Sequence, residues 1–438
     1  MTTTKTSGTS GTSGTSGTSG TTVRAVNHLT ARWASRAASG AGGTVFTAAG
    51  VWPLLALLAD GAGGPAREEL AQALGVSAED AAGAARDLLT ALAGVRGLSA
   101  ATGLWTKADL PLKDGWSAQL PPGTRGTLTG DPDGDTKTLD GWASDRTAGF
   151  VERMPVTLQP DTRLVLASAL ALTLKWEEPF REFPGRVSDG PWAGRGVRRL
   201  SRTTSCLDPV RVAEGPAGPV TVLEVTGAQD TDLDVHLLLG GPAAPASEVL
   251  ATGIAAASGT GPLVGGDALA DGAPGPGLTI GTVQAFSPQP QLSVSTVAFS
   301  LSAEHDLLED AALFGLLTAT DDDYGHFPGI SAEPLAIGSA RQSAVARFHA
   351  AGFEAAAVTA IAARPGGAAR QPSHPARRAE IRFDRPFGFL AVHRASGLVL
   401  AAGWVTDPEA AAQGRPGAAG LLAPPPFPAV RPPAPPSR

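Results

Sequence analysis

At 438 residues, with 42% hydrophobic and 17% charged side chains, the chain can bury a large core as one large domain or two modest ones, and its Gly 55 and Pro 37 imply long loops. A formal net charge of -7 without an acidic block gives no broad attraction to a phosphate backbone, which argues against nucleic-acid binding. One cysteine, Cys206, excludes an internal disulfide framework and multi-cysteine metal sites and is expected to be a buried small hydrophobe or an inert thiol, and no apolar run is long enough to span a bilayer.

The chain opens on a Gly/Ser/Thr repeat, and residues 1–24 are expected to be a disordered tail. The repeat lacks a basic stretch followed by an apolar one, so no secretory signal is read. A cytoplasmic place follows, with an extracellular one open if the start is misassigned or export is unconventional. Residues 25–39 predict an amphipathic helix, with Leu29, Trp33 and Ala37 at helical spacing and Gly40 to end it. Residues 44–47 predict a short strand, and 51–59 and 66–74 two helices about a glycine turn. A further helix is expected over 80–92.

Beyond residue 97 strands dominate. Residues 98–105 predict a strand and 139–150 a helix carrying Trp142 on its inner side. Residues 164–166 and 169–174 read as one long buried strand, because polar side chains almost vanish until Lys175. Strands are expected at 220–225, 233–239 and 292–299, then a helix over 306–317, then strands at 335–337 and 345–348. Residues 381–392 and 398–405 close the chain as a hairpin joined at 394–397. Helices first and strands later, without regular alternation, predict an α+β domain over 25–408, followed by a disordered Pro/Ala-rich tail over 409–438.

Catalytic signatures are absent. There is no GxSxG elbow, phosphate-binding GxxxxGK[ST] loop, HExxH pair or GxGxxG after a strand, and the seven histidines are scattered. An enzyme would need a Ser-His-Asp group assembled in space, and no cofactor or metal is expected. The stretch 348–386 is the most informative. Residues 354–360 carry small side chains that fit either a helix turn or a tightly flanked strand. Residues 364–378 hold four arginines, three prolines and two glycines without apolar periodicity, which predicts an exposed, poorly ordered loop or an ordinary surface insertion.

Several blocks, in shared order and spacing, carry a resemblance to a known family. Asp384-Arg385-Pro386-Phe387 opens the closing hairpin, and residues 398–408 end it with Gly403 and Pro408. Trp176 and Phe180 follow a hydrophobic strand; Gly61, Leu74, Gly103, Trp105, Trp142 and Phe327-Pro328-Gly329-Ile330 complete the pattern. From about Asn27 to Pro408 the chain resembles the serpin family, as a divergent and bacterial member of it. The resemblance implies a serpin-like fold with a helical N-terminal half, a large central sheet, smaller sheets and an exposed reactive loop.

It further implies that Gly352, Phe353, Glu354, Ala355, Ala356, Ala357, Val358, Thr359 and Ala360 are the hinge of that loop. The partner implied is a serine protease, trypsin-like or subtilisin-like, met by a monomer that binds neither nucleic acid nor membrane. Counting forward from Gly352 puts the scissile bond near Gly366, and counting back from Pro386 puts it near Pro375. Arg364 and Arg370 suit a trypsin-like pocket; Pro365 disfavours cleavage after Arg364, so Arg370 is preferred. Phe353 stands where the family has a small residue, and forcing it into a tight internal site costs roughly 1–3 kcal/mol. In the sheet-opening region, Ser168 replaces the family's Asn and Gln342 its His. Ala48-Ala49 replaces an early Ser-Pro, and Ala350 an acidic residue. Two functions follow: a suicide-substrate inhibitor, or a non-inhibitory binding or structural protein whose loop is cleaved without trapping.

Overall fold

A computed structural model describes residues 18–321, 324–353 and 373–411. The first quarter is helical, with α1 (Gly20–Ala37), β1 (Thr44–Phe46), α2 (Ala48–Gly61), α3 (Gly64–Leu74) and α4 (Ala78–Gly94). Local chemistry sets their ends: the Ser19, Thr47 and Ser77 side chains each accept a first-turn amide, and Gly75 closes α3 at φ 69°. Next come β2 (Leu98–Lys107), α5 (Asp114–Ser117), β3 (Arg125–Leu128), α6 (Pro132–Arg146), β4 (Leu164–Leu172) and β5 (Leu174–Lys175).

The middle of the chain supplies β6 (Arg181–Arg186), β7 (Gly196–Thr204), β8 (Val210–Gly215), β9 (Gly218–Thr226), β10 (Leu233–Leu239) and α7 (Ala246–Ala257). It continues through β11 (Leu263–Gly265), β12 (Gly272–Gly275), β13 (Leu278–Ala285), β14 (Gln291–Val297), β15 (Phe299–Asp306) and α8 (Ala311–Phe314). The last strands are β16 (Ser339–Phe348), β17 (Gly352–Phe353), β18 (His374–Arg382), β19 (Phe387–His393) and β20 (Leu398–Val405).

These strands form three sheets. The first runs β1-β20-β19-β10-β9-β8-β11 and the second β12-β13-β18-β14-β7-β6. The third runs β3-β2-β4-β16, with β15 beyond β16 and the short β17 and β5 at one end. The α+β class is as expected. Asn27 of α1 binds the closing hairpin at both Gly397 O and Val399 N, which ties the first helix to the last turn.

The large sheet separates two cores. Leu164, Leu166, Leu170 and Leu172 of β4 join the main core beneath α2, whereas Val165, Ala167 and Ala169 pack with Trp105, Leu139, Ala143 and Met154 under α6. Period-two alternation of a strand buried on both faces explains why β4 reads as a continuous apolar run.

Several expectations are corrected. The expected helix over 306–317 shrinks to α8, because β15 already carries the chain as far as Asp306. Residues 335–337 form no strand, and α6 starts at Pro132 rather than 139. The expected strand over 381–392 divides into β18 and β19. α1 begins at Gly20, and Ala410 bridges Val197, so the ordered body passes both expected tail boundaries. Cys206 is exposed rather than buried.

Candidate functional site

The large sheet contains a seam of one kind between neighbours of another. β4 and β16 run parallel, from Val165 opposite Ser339 to Leu170 opposite Ala344. Outside them, β2 pairs antiparallel with β4 and β15 antiparallel with β16. Parallel pairing is slightly weaker per residue than antiparallel pairing, so this ladder is given up more cheaply, residue for residue, than the β2–β4 and β15–β16 ladders that flank it.

Ser168 and Gln342 are register partners across the seam. Their side chains do not bond each other. Gln342 instead grips the Thr47 main chain, donating through Nε2 to Thr47 O at 2.8 Å and accepting the Thr47 amide on Oε1 at 2.8 Å. Thr47 is the N-cap of α2, so Gln342 fastens β16 to the start of that helix. Ser168 Oγ is buried and has no hydrogen-bond partner. A Cβ at Gly50 would lie 2.4 Å from that oxygen, which is why the helix passes over it with a glycine.

At one end of the seam the first two residues of the expected hinge, Gly352 and Phe353, are already paired in the sheet. β17 pairs with β16 at Phe348–Phe353 and with β5 at Gly352–Lys175 and Phe353–Leu174, antiparallel to both. Gly352 is required by close approach, since a Cβ there would lie 2.1 Å from Leu174 O. Phe353 is fully buried, its ring 5.9 Å from that of Phe389. The expected burial cost of Phe353 is therefore borne by the intact fold and not by a later insertion step.

The turn between β16 and β17 is tied down by aromatic residues. Trp176 Nε1 donates to His349 O at 2.8 Å, and the amides of Trp176 and Phe180 donate to Ala351 O and Ala350 O. Phe348 stacks on Phe299 at 5.3 Å and lies 4.8 Å from Trp176. Arg202 covers the Phe180 ring at 4.6 Å, and burial holds its guanidinium below the usual arginine range. Burial also lowers His349, against the pull of Glu409.

The far end of the loop is different. β18 is held by β13 from Leu278 to Ala285 on one side and by β14 from Gln291 to Ser295 on the other. His374 and Pro375 lie inside this strand, which corrects the reading of 364–378 as one loop and removes Pro375 from the candidates for cleavage. Glu354, Ala355, Ala356, Ala357, Val358, Thr359, Ala360, Arg364, Gly366 and Arg370 lie outside the described residues.

Sequence reasoning missed Thr47 as the partner of Gln342, although its place before an apolar helix marks it as a cap. It also missed the service of Trp176 to the hinge turn. Among the described residues, no group of His, Cys, Asp and Glu is arranged to hold a metal ion.

Comparison with known proteins gives concordant findings. A family model described as Serpin (serine protease inhibitor) matches residues 24–188 and 284–408, more than half of the chain. A serpin-Z6C of Oryza sativa subsp. japonica is 40% identical over 75 residues, 17% of this chain and only 18% of that relative's length. Human thyroxine-binding globulin, complexed with its hormone, has a similar fold at TM-score 0.66 and 15% identity over 89% of this chain and 98% of that one. The thermophilic serpin tengpin in its native state gives TM-score 0.68 at 15% identity over 88% and 93%. Serpin48 of the insect Tenebrio molitor gives 0.63 at 19% identity over 88% and 97%. At these identities the structural likenesses speak for the fold. These relatives include a plant, an insect and a human protein, and none supports the expected bacterial origin.

Proposed function

The chain belongs to the serpin family, and from that premise we propose that it is a suicide-substrate inhibitor of a serine protease. The family is one of protease inhibitors rather than enzymes. The observation that carries the finer reading is β17, a strand that already points into the mouth of a parallel seam. Continued insertion would replace the single β4–β16 ladder with two antiparallel ones and bury a further row of side chains. Continued in the register of Phe353 opposite Phe348, residue 357 would lie opposite Ala344 and residue 360 opposite Arg341, so the hinge 354–360 would reach four of the six seam positions between Ala344 and Ser339.

Strand alternation supports the fit. Carried on from Phe353, it would put Ala355, Ala357 and Thr359 toward the α2 core, and Ala356, Val358 and Ala360 toward α6. All are small. In the proposed cycle a trypsin-like or subtilisin-like protease cleaves the loop and is acylated, with Arg370 the preferred residue on the N-terminal side of the bond. The freed hinge then fills the seam and carries the protease away from its docking position before deacylation. The stored free energy is that of an unfilled sheet held by a kinetic barrier.

A second reading, a non-inhibitory binding protein, is favoured by a different feature. A cavity of about 270 Å³ lies between β8, β9, β10, β19 and the end of α7, lined by Arg211, Glu224, Asp234, His236 and Arg394. A carrier with this fold would use such a cavity and leave the loop a passive substrate.

Incubation with trypsin-like, elastase-like and subtilisin-like enzymes separates the two. The inhibitor gives a denaturation-resistant equimolar complex, and its cleaved form melts well above the intact one. Cleavage with turnover, no adduct and an unchanged melting temperature would reject inhibition for those classes.

A further inference from the structure

The large sheet also has an open edge. β2 pairs with β4 from Leu98 to Thr106, but on its other side β3 covers only Leu104 to Lys107. The Leu104 amide donates to Thr124 O at 2.7 Å, so the main-chain groups of Leu104 face that outer side. Main-chain direction alternates along a strand, and those of Ala100 and Thr102 therefore face it too. Among the described residues, no turn, loop or cap amide or carbonyl bonds to either.

A cleft of about 520 Å³ lies along this edge. One wall is α4, through Leu89 and Leu92, and the other is α6, through Trp142 and Arg146. Trp142 lies over Gly103, where a Cβ would come within 2.8 Å of the indole. Arg146 reaches over Gly123 and has no hydrogen bond or ion pair among the described residues. Arg125, the first residue of β3, is exposed and equally unpaired. The cleft thus offers free main-chain donors and acceptors, an apolar wall on one face of the sheet, and an aromatic wall with an uncompensated cation on the other.

We propose that this edge is a docking groove for an extended, acidic segment of a partner protein, which adds to β2 in line with β3. Main-chain bonds to Ala100 and Thr102 would give the pairing, and alternate side chains would read the two walls. The stretch 98–103 takes about six residues. Side chains facing α4 meet Leu89 and Leu92 and should be apolar. Those facing α6 meet Trp142 and Arg146 and should be acidic, because a carboxylate supplies the partner that Arg146 lacks. A bare sheet edge is otherwise a template for aggregation; here two helices wall it in and admit one strand only. The proposal does not depend on whether the reactive loop traps a protease.

The test uses the full chain and an acetylated, amidated hexapeptide of alternating valine and aspartate, with the valine and lysine peptide as control. Titration calorimetry should show saturable binding of the acidic peptide, and hydrogen exchange should slow at the amides of residues 98–103. Arg146→Glu should weaken it at least about tenfold and turn the preference to the lysine peptide. Ala100→Pro removes an outward-facing amide without touching the β4 ladder and should weaken both peptides. If Ala100→Pro fails to fold, the charge reversal at Arg146 decides alone. No saturable binding, equal binding of the two peptides, or affinity indifferent to Arg146→Glu overturns the proposal. So does protection of 98–103 in the free protein that is lost on deleting residues 1–17, which would put the chain's own tail in the groove.

Discussion

The two strands that flank the proposed reactive loop, β17 before it and β18 after it, are held in opposite ways. At the N-terminal end, two residues, Gly352 and Phe353, form the whole of β17. At the C-terminal end, β18 lies between β13 and β14, paired with β13 from His374 to Ile381 and with β14 from Arg378 to Arg382. The lightly paired end also sits at the mouth of the parallel β4–β16 ladder, whereas the other end belongs to a strand that β13 pairs along eight residues. If the proposed cycle is right, the difference assigns their tasks: one end is placed to advance after cleavage and the other to stay.

Freeing the anchored end should have the largest effect. Thr279 of β13 lies opposite Glu380 of β18, and because the Arg382 amide bonds Gly277 O two residues along the same ladder, the Thr279 amide faces β18 and Thr279→Pro breaks the ladder on that side. With β18 held only by β14, an intact loop could fill the seam. The expected outcome is an uncleaved protein that loses inhibition on warm incubation and then melts with the cleaved form. Retained inhibition with a simple loss of stability would show that β14 alone anchors the loop.

Next in size is Phe353→Ala at the other end. The ring is fully buried against Phe389, so truncation should cost about 3–5 kcal/mol in denaturant unfolding. Phe353 stays buried in an inserted hinge, so intact and cleaved forms should lose equally. A loss confined to the cleaved form would mean that the side chain moves on insertion.

His236, on β10 in the first sheet and outside the β4–β16 seam, serves as the control. Burial lowers its pKa to about 4 from an ordinary 6.5, so the unfolded chain binds the proton more readily than the fold does. Its contribution is fully present above pH 6.5 and is lost as pH falls toward 4, on the order of 3 kcal/mol in all. Glu224, raised by its own burial, opposes this trend, and Asp234 and Arg211 also face the imidazole. The difference between wild type and His236→Gln isolates the histidine. It should be the same before and after cleavage, because β10 takes no part in insertion.

How much of this was legible in the sequence depended on pattern strength. Helices α1 to α4, strands β4 and β10 and the closing hairpin were visible because apolar periodicity was unbroken. The second sheet was nearly invisible: β6 reads Arg-Glu-Phe-Pro-Gly-Arg, an exposed edge without alternation, and β12 and β13 are rich in glycine and threonine. α7 was missed because Ala246–Ala257 is mostly small residues behind a Pro245 cap. At the site, family position pointed to Ser168 and Gln342, but a partner distant in the chain, Thr47, decides what Gln342 does. The burial of Phe353 depends on a turn fastened by Trp176 and Phe180, which no local pattern encodes.

Gln342 tests the seam itself. Gln342→Leu leaves the buried Thr47 amide and carbonyl without partners, and each orphaned group costs about 1–3 kcal/mol. The intact form should weaken by about 2 kcal/mol or more, because nothing else among the described bonds serves those two atoms. A cleaved form that is spared would mean that the network beneath the sheet is rebuilt on insertion.

The smallest effect should carry the opposite sign. Ser168 Oγ is buried in the intact protein with no partner, directly across the seam from Gln342 and under Gly50 of α2. Burying a hydroxyl without a hydrogen bond is unfavourable, so Ser168→Ala should leave the intact form unchanged or up to about 1 kcal/mol more stable, the small void offsetting part of the gain. Separation of β4 from β16 would give that hydroxyl a new neighbour. If it gains a hydrogen bond there, the same substitution destabilises the cleaved form and narrows the gap between the two melting temperatures. Stabilisation of both forms alike would mean that Ser168 is an unpaired hydroxyl in either state, and that sheet opening draws nothing from it.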